Sequence, residues 1–185
     1  LQSESRTLEI IIEKIDDTDW VLKYQQEQKP IIAGGFAVVS SINEIDLEDH
    51  SLPKIYIEAS RAFGTGSHET TALCLEMLRN LARSNIDDIL DVGTGSGILS
   101  FAAEQIWSKS TLLACDIESE SVKVAKYNGD INNSRVCFYQ NSPKNLLPVE
   151  HEKKKFDLII SNILAGPLKD FAPSFKKIVK PGARV

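Results

Sequence analysis

The sequence predicts an α/β fold built on a doubly wound parallel sheet, and three observations carry that expectation. From Ser60 onward, short apolar runs alternate with segments whose apolar residues recur at three and four. The strand-like runs are almost continuously apolar, as strands covered on both faces are. A glycine-rich turn, Asp91-Val92-Gly93-Thr94-Gly95-Ser96-Gly97, joins one such run to a helix-like segment.

Before Ser60 the pattern is different. Leu8–Ile15 is an apolar, β-branched run that reads as a strand. Asp17-Thr18-Asp19 offers an N-cap for a short helix carrying Trp20 and Tyr24 on one face, which Pro30 ends. Ile31–Val39 and Lys54–Ala59 read as two further strands, with Gly34-Gly35 and the acidic stretch Glu44–Asp49 as breakers and loop. Ser67 can cap a helix with Cys74, Met77, Leu78, Leu81 and Ala82 inward. Ile86–Val92 is a strand, and Ile98, Phe101, Ala102 and Ile106 form the inner face of the helix after it. Strand Thr111–Ile117, helix Ser119–Asn128 and strand Val136–Gln140 follow, then a polar loop over Asn141–Lys155. Phe156–Ile163 is the most continuous apolar strand. Pro167 opens a helix with Leu168, Phe171, Ala172, Phe175, Ile178 and Val179 inward, which Pro173 should kink or restart. Lys180–Val185 reads as a turn into a strand that has barely begun. With no initiator Met either, the chain reads as a fragment whose sheet lacks its last strands.

The 185 residues fit one domain with a small appendage, and 42% hydrophobic against 25% charged residues is enough for a core. A formal net charge of -5 argues against a duplex nucleic-acid binder and suits a basic substrate. Cys74, Cys115 and Cys137 lie far apart in apolar stretches, forming neither a disulfide framework nor, with the three histidines, a zinc cluster. Buried, reduced thiols in a cytoplasmic protein are the simple reading. No apolar run reaches the ~18 residues that span a membrane, and the polar start carries no signal peptide.

The chemistry centres on a strand, a glycine turn, a helix, a second strand and an acid at its tip. Gly93, Gly95 and Gly97 let the backbone approach a ligand where the helix N-terminus offers free N–H groups. Asp116, 23 residues beyond Gly93, can accept both hydroxyls of a ribose, and Ile117 follows at the same strand tip. A dinucleotide site favours G-x-G-x-x-G or A, whereas Ile98 stands here at the last position. The G-x-G-x-G spacing favours S-adenosylmethionine, with no pyrophosphate to cradle and an ammonium that Asp91 can face directly or through water. The plain alternative is a turn serving only tight strand–helix packing. Two more segments lie at loop positions suited to a ligand. Ala62-Phe63-Gly64-Thr65-Gly66-Ser67-His68-Glu69-Thr70-Thr71 is glycine-rich yet lacks the Lys of a phosphate loop, and Ser161-Asn162-Ile163-Leu164-Ala165-Gly166-Pro167 ends a buried strand.

Those two segments, with D-V-G-T-G-S-G-I-L-S between them, resemble the methyltransferase family that acts on ribosomal protein L eleven (L11). The order and spacing match from about Asp17 to the end. The resemblance implies a Rossmann-like methyltransferase sheet and transfer of methyl from S-adenosylmethionine to lysine side chains and the N-terminal amine of L11. It implies cofactor contacts at Thr71, Gly93, Asp116 and Asn162. It divides the chain into a remnant of an α+β substrate-recognition domain (1–16), a linker helix (17–30) and a truncated methyltransferase domain (31–185). L11 is the implied partner of a monomer, with no direct nucleic acid and no membrane. Ser60-Arg61 departs from the family's usual Pro-Gly before Ala-Phe-Gly-Thr-Gly, which bears on the path of that loop.

Methyl transfer from a sulfonium is an in-line displacement that needs alignment and a neutral amine, without metal or covalent nucleophile. Asn162 and strand-end carbonyls such as that of Ile163 can accept hydrogen bonds from that amine; equally, Asn162 can contact the cofactor alone. His68 is a candidate general base or a capping residue, and Phe63 can stack on adenine, wall the substrate channel or sit in the core. Thr71 can meet the cofactor or its own backbone. Trp20 and Tyr24 read as packing residues, and Lys153-Lys154-Lys155 as a solvated loop. The rival functions are methylation of another protein or a small molecule, a cofactor-binding fragment without turnover, and a nicotinamide oxidoreductase.

Overall fold

A small sheet leads the described part of the chain in the computed structural model, which describes residues 30–41, 47, 51–58, 69–142 and 145–185. The expected strand Leu8–Ile15, the helix with Trp20 and Tyr24, Phe63, the Ser67 cap and His68 lie outside the described residues. β1 (Ile31–Ala33) and β2 (Phe36–Val39) form an antiparallel hairpin across Gly34 and Gly35, both at positive φ, and β3 (Lys54–Tyr56) pairs parallel with β2. The sequence pattern points to one parallel sheet; this mixed sheet is separate from it. A Cβ at Gly34 would stand 2.5 Å from the Leu75 carbonyl, so glycine lets the hairpin lie directly on α1 (Glu69–Asn80).

The second sheet contains β4 (Asp88–Val92), β5 (Thr111–Asp116), β6 (Cys137–Gln140), β7 (Phe156–Ile160) and β8 (Val179–Arg184), in the order β6-β5-β4-β7-β8. All four pairings are parallel. The chain starts at the central β4, runs outward to β6, then crosses back to β7, so the order reverses between β4 and β7. In open α/β sheets that reversal leaves a crevice at the carboxyl ends of the strands. α2 (Ile98–Ile106) follows β4, α3 (Ser119–Ile131) follows β5 and α4 (Ala165–Ile178) follows β7. This is the doubly wound α/β architecture the sequence predicts.

Alternation along the central strands feeds two cores. Ile89, Leu112 and Ala114 join Phe101 and Ala102 of α2, Val122 and Ala125 of α3, Leu75 of α1 and the small sheet. Leu90, Val92, Leu113 and Cys115 face the other way, onto Phe175 and Ile178 of α4.

Several local expectations are corrected. The buried stripe of α1 is Thr71, Leu75 and Leu78, while Met77 is exposed; helix α1 turns a face bearing a polar threonine inward because that face meets the site described below. Ala172 is exposed, one step around α4 from the Phe171–Phe175 stack. α4 runs unbroken through Pro173, which sits on its exposed face, where a lost backbone donor is tolerable. Cys137 is exposed rather than buried, because it points outward from β6 at the sheet's edge. The expected turn at Lys180–Val185 is strand β8: Phe156 and Leu158 of β7 match Val179 and Arg184, so the stretch around Pro181-Gly182 bulges. Among the described residues no helix is long and apolar enough to cross a membrane.

Candidate functional site

The glycine turn folds over the carboxyl end of β5. The Gly93 and Thr94 amides both donate to the Cys115 carbonyl, at 2.8 and 3.0 Å, and Gly93, Gly95 and Gly97 all have positive φ. A Cβ at Gly93 would stand 2.2 Å from Ile163 Cγ2, and one at Gly97 2.7 Å from the Phe101 ring. Tight packing therefore accounts for two of the three glycines. It also seats Ile163, and with it Asn162, against the turn.

Asp116 ends β5 beside this turn. Its Oδ2 accepts from the Gly95 amide at 3.0 Å and its Oδ1 from the Glu118 amide at 3.0 Å. Each oxygen keeps a further lone pair, so the fixed carboxylate can still receive two hydroxyl donors. Ile117, half exposed, provides an aliphatic surface next to it.

Asp91 is sequestered at 1% exposure. Its Oδ2 accepts from Ser100 Oγ at 2.6 Å and Thr94 Oγ1 at 2.9 Å, tying β4 to the turn and to the first residues of α2. Burial pushes this carboxyl up to about 6, against the pull of the two hydroxyls, and the charge of Asp116 adds to the rise.

On the other side of the turn, Ser161 Oγ donates to the Val92 carbonyl at 3.0 Å, locking the end of β7 to that of β4. The next residue, Asn162, donates from Nδ2 to Thr71 Oγ1 at 3.3 Å, across 91 residues of sequence. Thr71 is buried in the first turn of α1, so its hydroxyl faces inward to the sheet edge. Thr71, Gly93, Gly95, Asp116 and Asn162 thus converge on the carboxyl edge, with Asp91 braced beneath the turn and Ile117 at the rim.

Asn141, which follows β6, escapes a sequence reading that treats Asn141–Lys155 as loop. Its amide donates to the Asp116 carbonyl at 3.0 Å, and its Oδ1 is buried without a hydrogen-bond partner. An orphaned acceptor on the residue whose backbone pairs with that of Asp116 suits a ligand that offers both hydroxyls and an amino group, as an adenine nucleoside does. These acceptors fit the nucleoside half of S-adenosylmethionine on those grounds. The thiol next to the turn is a poor nucleophile: Cys115 is buried and its thiol is pushed up to about 12, chiefly by burial.

Comparison with known proteins points to the same fold and to a family. The family model for ribosomal protein L11 methyltransferases matches residues 1–185. A ribosomal protein L11 methyltransferase of Agrobacterium fabrum is 40% identical over 181 residues, which cover 95% of this chain and 61% of that protein. The one from Allorhizobium ampelinum is 38% identical over 187 residues, covering 100% and 64%. The chain thus spans about three fifths of the length of these relatives. The crystal structure of a ribosomal protein L11 methylase from Lactobacillus delbrueckii subsp. bulgaricus superimposes with a TM-score of 0.70 at 28% identity, over 83% of this chain and 76% of that one. A fold, a sheet-edge constellation and a match along every residue lead to one place: the chain belongs to the ribosomal protein L11 methyltransferase family.

Proposed function

We propose that the protein transfers methyl groups from S-adenosylmethionine to amino groups of ribosomal protein L11, lysine side chains and the N-terminal amine among them. The observation that carries this reading is the Asn162–Thr71 hydrogen bond, which brings the end of β7 and the start of α1 together beside the glycine turn and Asp116. Asp116 receives the ribose hydroxyls and Asn141 Oδ1 the exocyclic amine of the adenine. Ile117 lies against the ring, and Asp91 keeps negative charge under the turn for the ammonium of the methionine half. Thr71, Gly93, Gly95, Gly97 and Asn162 complete the cofactor contacts. Phe63 belongs to the same reading as an adenine or channel contact. Bound there, the cofactor supplies a methyl group on an electron-poor sulfonium.

The chain's task is then alignment. With Asn162 Nδ2 committed to Thr71, the other end of that amide is an acceptor. It can hold an N–H of the incoming neutral amine and so aim the nitrogen lone pair along the sulfur–methyl axis. Residues 1–16 are read as belonging to the part that presents L11, and 17–30 as the link between it and the catalytic part. The protein is read as a cytoplasmic monomer that engages L11 itself, without direct nucleic-acid or membrane contact.

The test uses labelled S-adenosylmethionine, purified L11 and the Asn162→Ala variant. The expected result is label on L11 with the unaltered protein, and transfer reduced about 100-fold in the variant, as loss of an aligning group implies. Transfer unchanged in the variant, with cofactor affinity intact, would remove Asn162 from the amine-binding role. Label on other proteins but not on L11 would refute the substrate.

A further inference from the structure

Among the described residues the outer edge of β3 meets no strand, yet its backbone groups are not idle. On the inner side the Ala37 amide donates to the Pro53 carbonyl at 2.9 Å and the Ile57 amide to the Val39 carbonyl at 2.8 Å. Lys54, Tyr56 and Glu58 therefore turn their backbone groups the other way. Three amide side chains take them. Gln105 Nε2 of α2 donates to the Lys54 carbonyl at 2.7 Å. Asn132, which caps the end of α3, accepts from the Tyr56 amide at 2.9 Å and donates back to the Tyr56 carbonyl at 2.7 Å. Asn128, one helical turn earlier, accepts from the Glu58 amide at 3.1 Å through Oδ1. These amides stand where the peptide groups of a neighbouring strand would stand, and they fasten the small sheet to the helices of the large one.

Asn128 alone among them also reaches the glycine turn. It is 0% exposed, and its Nδ2 donates to the Ser96 carbonyl at 2.9 Å. That carbonyl and the Gly97 N–H belong to one planar peptide unit. The Gly97 N–H donates to the Thr94 carbonyl at 2.9 Å, so the unit is held at both ends. Its orientation sets the backbone from which α2 departs, at a Gly97 φ of 90°. At the other end of the Asn128 amide, Glu58 is the last described residue before the segment 59–68 with its Gly-Thr-Gly run. One buried side chain thus ties the turn to Glu58 with its two ends.

We propose that Asn128 is a positioning residue, which holds the Gly93–Gly97 turn and the chain at Glu58, just past β3, at a set separation and so keeps the turn shaped for its ligand. This rests on the reading of the turn as the S-adenosylmethionine site. Asn128→Asp has nearly the same shape and keeps the acceptor for Glu58, but sets an acceptor against the Ser96 carbonyl. Asn128→Ala removes both bonds, whereas Asn132→Ala removes the clamp on Tyr56 and an Nδ2 bond to the Asn128 main-chain carbonyl at 2.7 Å but leaves both side-chain bonds of Asn128 in place.

The experiment pairs calorimetric titration of S-adenosylmethionine with amide hydrogen exchange of the ligand-free proteins and thermal unfolding. The expected result is binding weakened about tenfold in both Asn128 variants and within twofold of the unaltered protein in Asn132→Ala, although Asn132→Ala also lowers Tm. Exchange at the Gly97 amide should rise in both Asn128 variants, and at the Glu58 amide in Asn128→Ala only. Should Asn128→Asp fail to fold, Asn128→Ala against Asn132→Ala still decides. Binding unchanged in the Asn128 variants, or lowered equally by Asn132→Ala, overturns the proposal. If the unaltered protein takes up no S-adenosylmethionine, the cofactor reading fails by itself. Slow exchange at Gly97 in the Asn128 variants would then refute the positioning role separately.

Discussion

Replacing Asp91 by asparagine should make the ligand-free protein more stable at neutral pH while weakening its hold on the cofactor. Asp91 is buried, and its carboxyl titrates at about 6 against an ordinary value of 3.8. The folded-state value is raised, so the sign is that of a penalty. Above pH 6 the native state must keep a carboxylate that water would stabilise better, and the cost fades as pH falls through 6 toward 3.8. A rise of roughly two pH units at about 1.4 kcal/mol each makes the full cost roughly 3 kcal/mol. Asparagine has the same outline, and its Oδ1 can still accept from Ser100 and Thr94. Its amide hydrogens need new partners, which takes back about 1 kcal/mol. Asp91→Asn should therefore exceed the unaltered protein by about 2 kcal/mol at pH 7.5, and that gap should narrow by about 2 kcal/mol at pH 4.5. Urea unfolding of both proteins at several pH values measures the gap directly. A gap that does not move with pH, or an asparagine variant less stable at pH 7.5 than at pH 4.5 relative to the unaltered protein, refutes the reasoning. If the charge is kept for the cofactor's ammonium, the same variant binds S-adenosylmethionine more weakly at pH 7.5. The affinity of the unaltered protein should then fall as pH drops below 6.

Two further changes probe the frame around the site. Gly93→Ala combines a φ of 79° with a Cβ 2.2 Å from Ile163 Cγ2, so it should cost about 2–4 kcal/mol in chemical unfolding and abolish cofactor binding in titration. At the opposite edge of the sheet, Lys180 Nζ lies 2.7 Å from Asp88 and 2.8 Å from Asp157, about a third exposed. Although burial works against it, hydrogen bonds from Lys154 and Lys180 hold the Asp88 carboxyl below its ordinary range; those from Lys180 and two backbone amides do the same for Asp157. That stabilisation is present above pH 4 and is lost as pH falls through the lowered values. Lys180→Met should thus lower stability by about 1 kcal/mol at pH 7, discounted for solvent screening, and the difference should close in thermal scans as pH falls below the lowered carboxylate values.

The parts of the site legible in the sequence are those that one strand–turn–helix unit imposes locally. Gly93, Gly95 and Gly97 must stand where β4 stops, and Asp116 must end the next strand, because strand and helix lengths fix the interval. The meeting of Thr71 and Asn162 is not local. It depends on α1 crossing to the end of β7, and only the resemblance of their segments links the two in sequence. Asn128, Asn132 and Asn141 were invisible for another reason. Polar residues on a helix or at a strand end look solvated, and nothing in their spacing says that a sheet edge or a carboxylate lies opposite. Met77 misleads in the same way, since an apolar residue at helical spacing can face outward when a threonine is needed inside. Pro173 shows a local rule outweighed: the packing of Phe171, Phe175 and Ile178 carries α4 past a proline on its exposed side.

The glycine turn admits two explanations that prove to be one. A side chain at Gly93 would strike Ile163 and one at Gly97 would strike Phe101, so protein contacts, together with a positive φ at each, already favour both glycines without a ligand. But Ile163 adjoins Asn162, and it can approach the turn only because Gly93 has no Cβ. Push the end of β7 outward by the size of a methyl group and the Ser161–Val92 and Asn162–Thr71 hydrogen bonds, 3.0 and 3.3 Å long, both break. On the other flank, Phe101 against Gly97 draws α2 to Phe138, and Gly129 lets α3 close over the same ring, which is what brings Asn128 within reach of Ser96. Packing at the glycines is therefore the means by which the polar groups of the sheet edge are gathered. A substitution that spares every one of those polar groups but thickens the turn should disable the site as thoroughly as removing them.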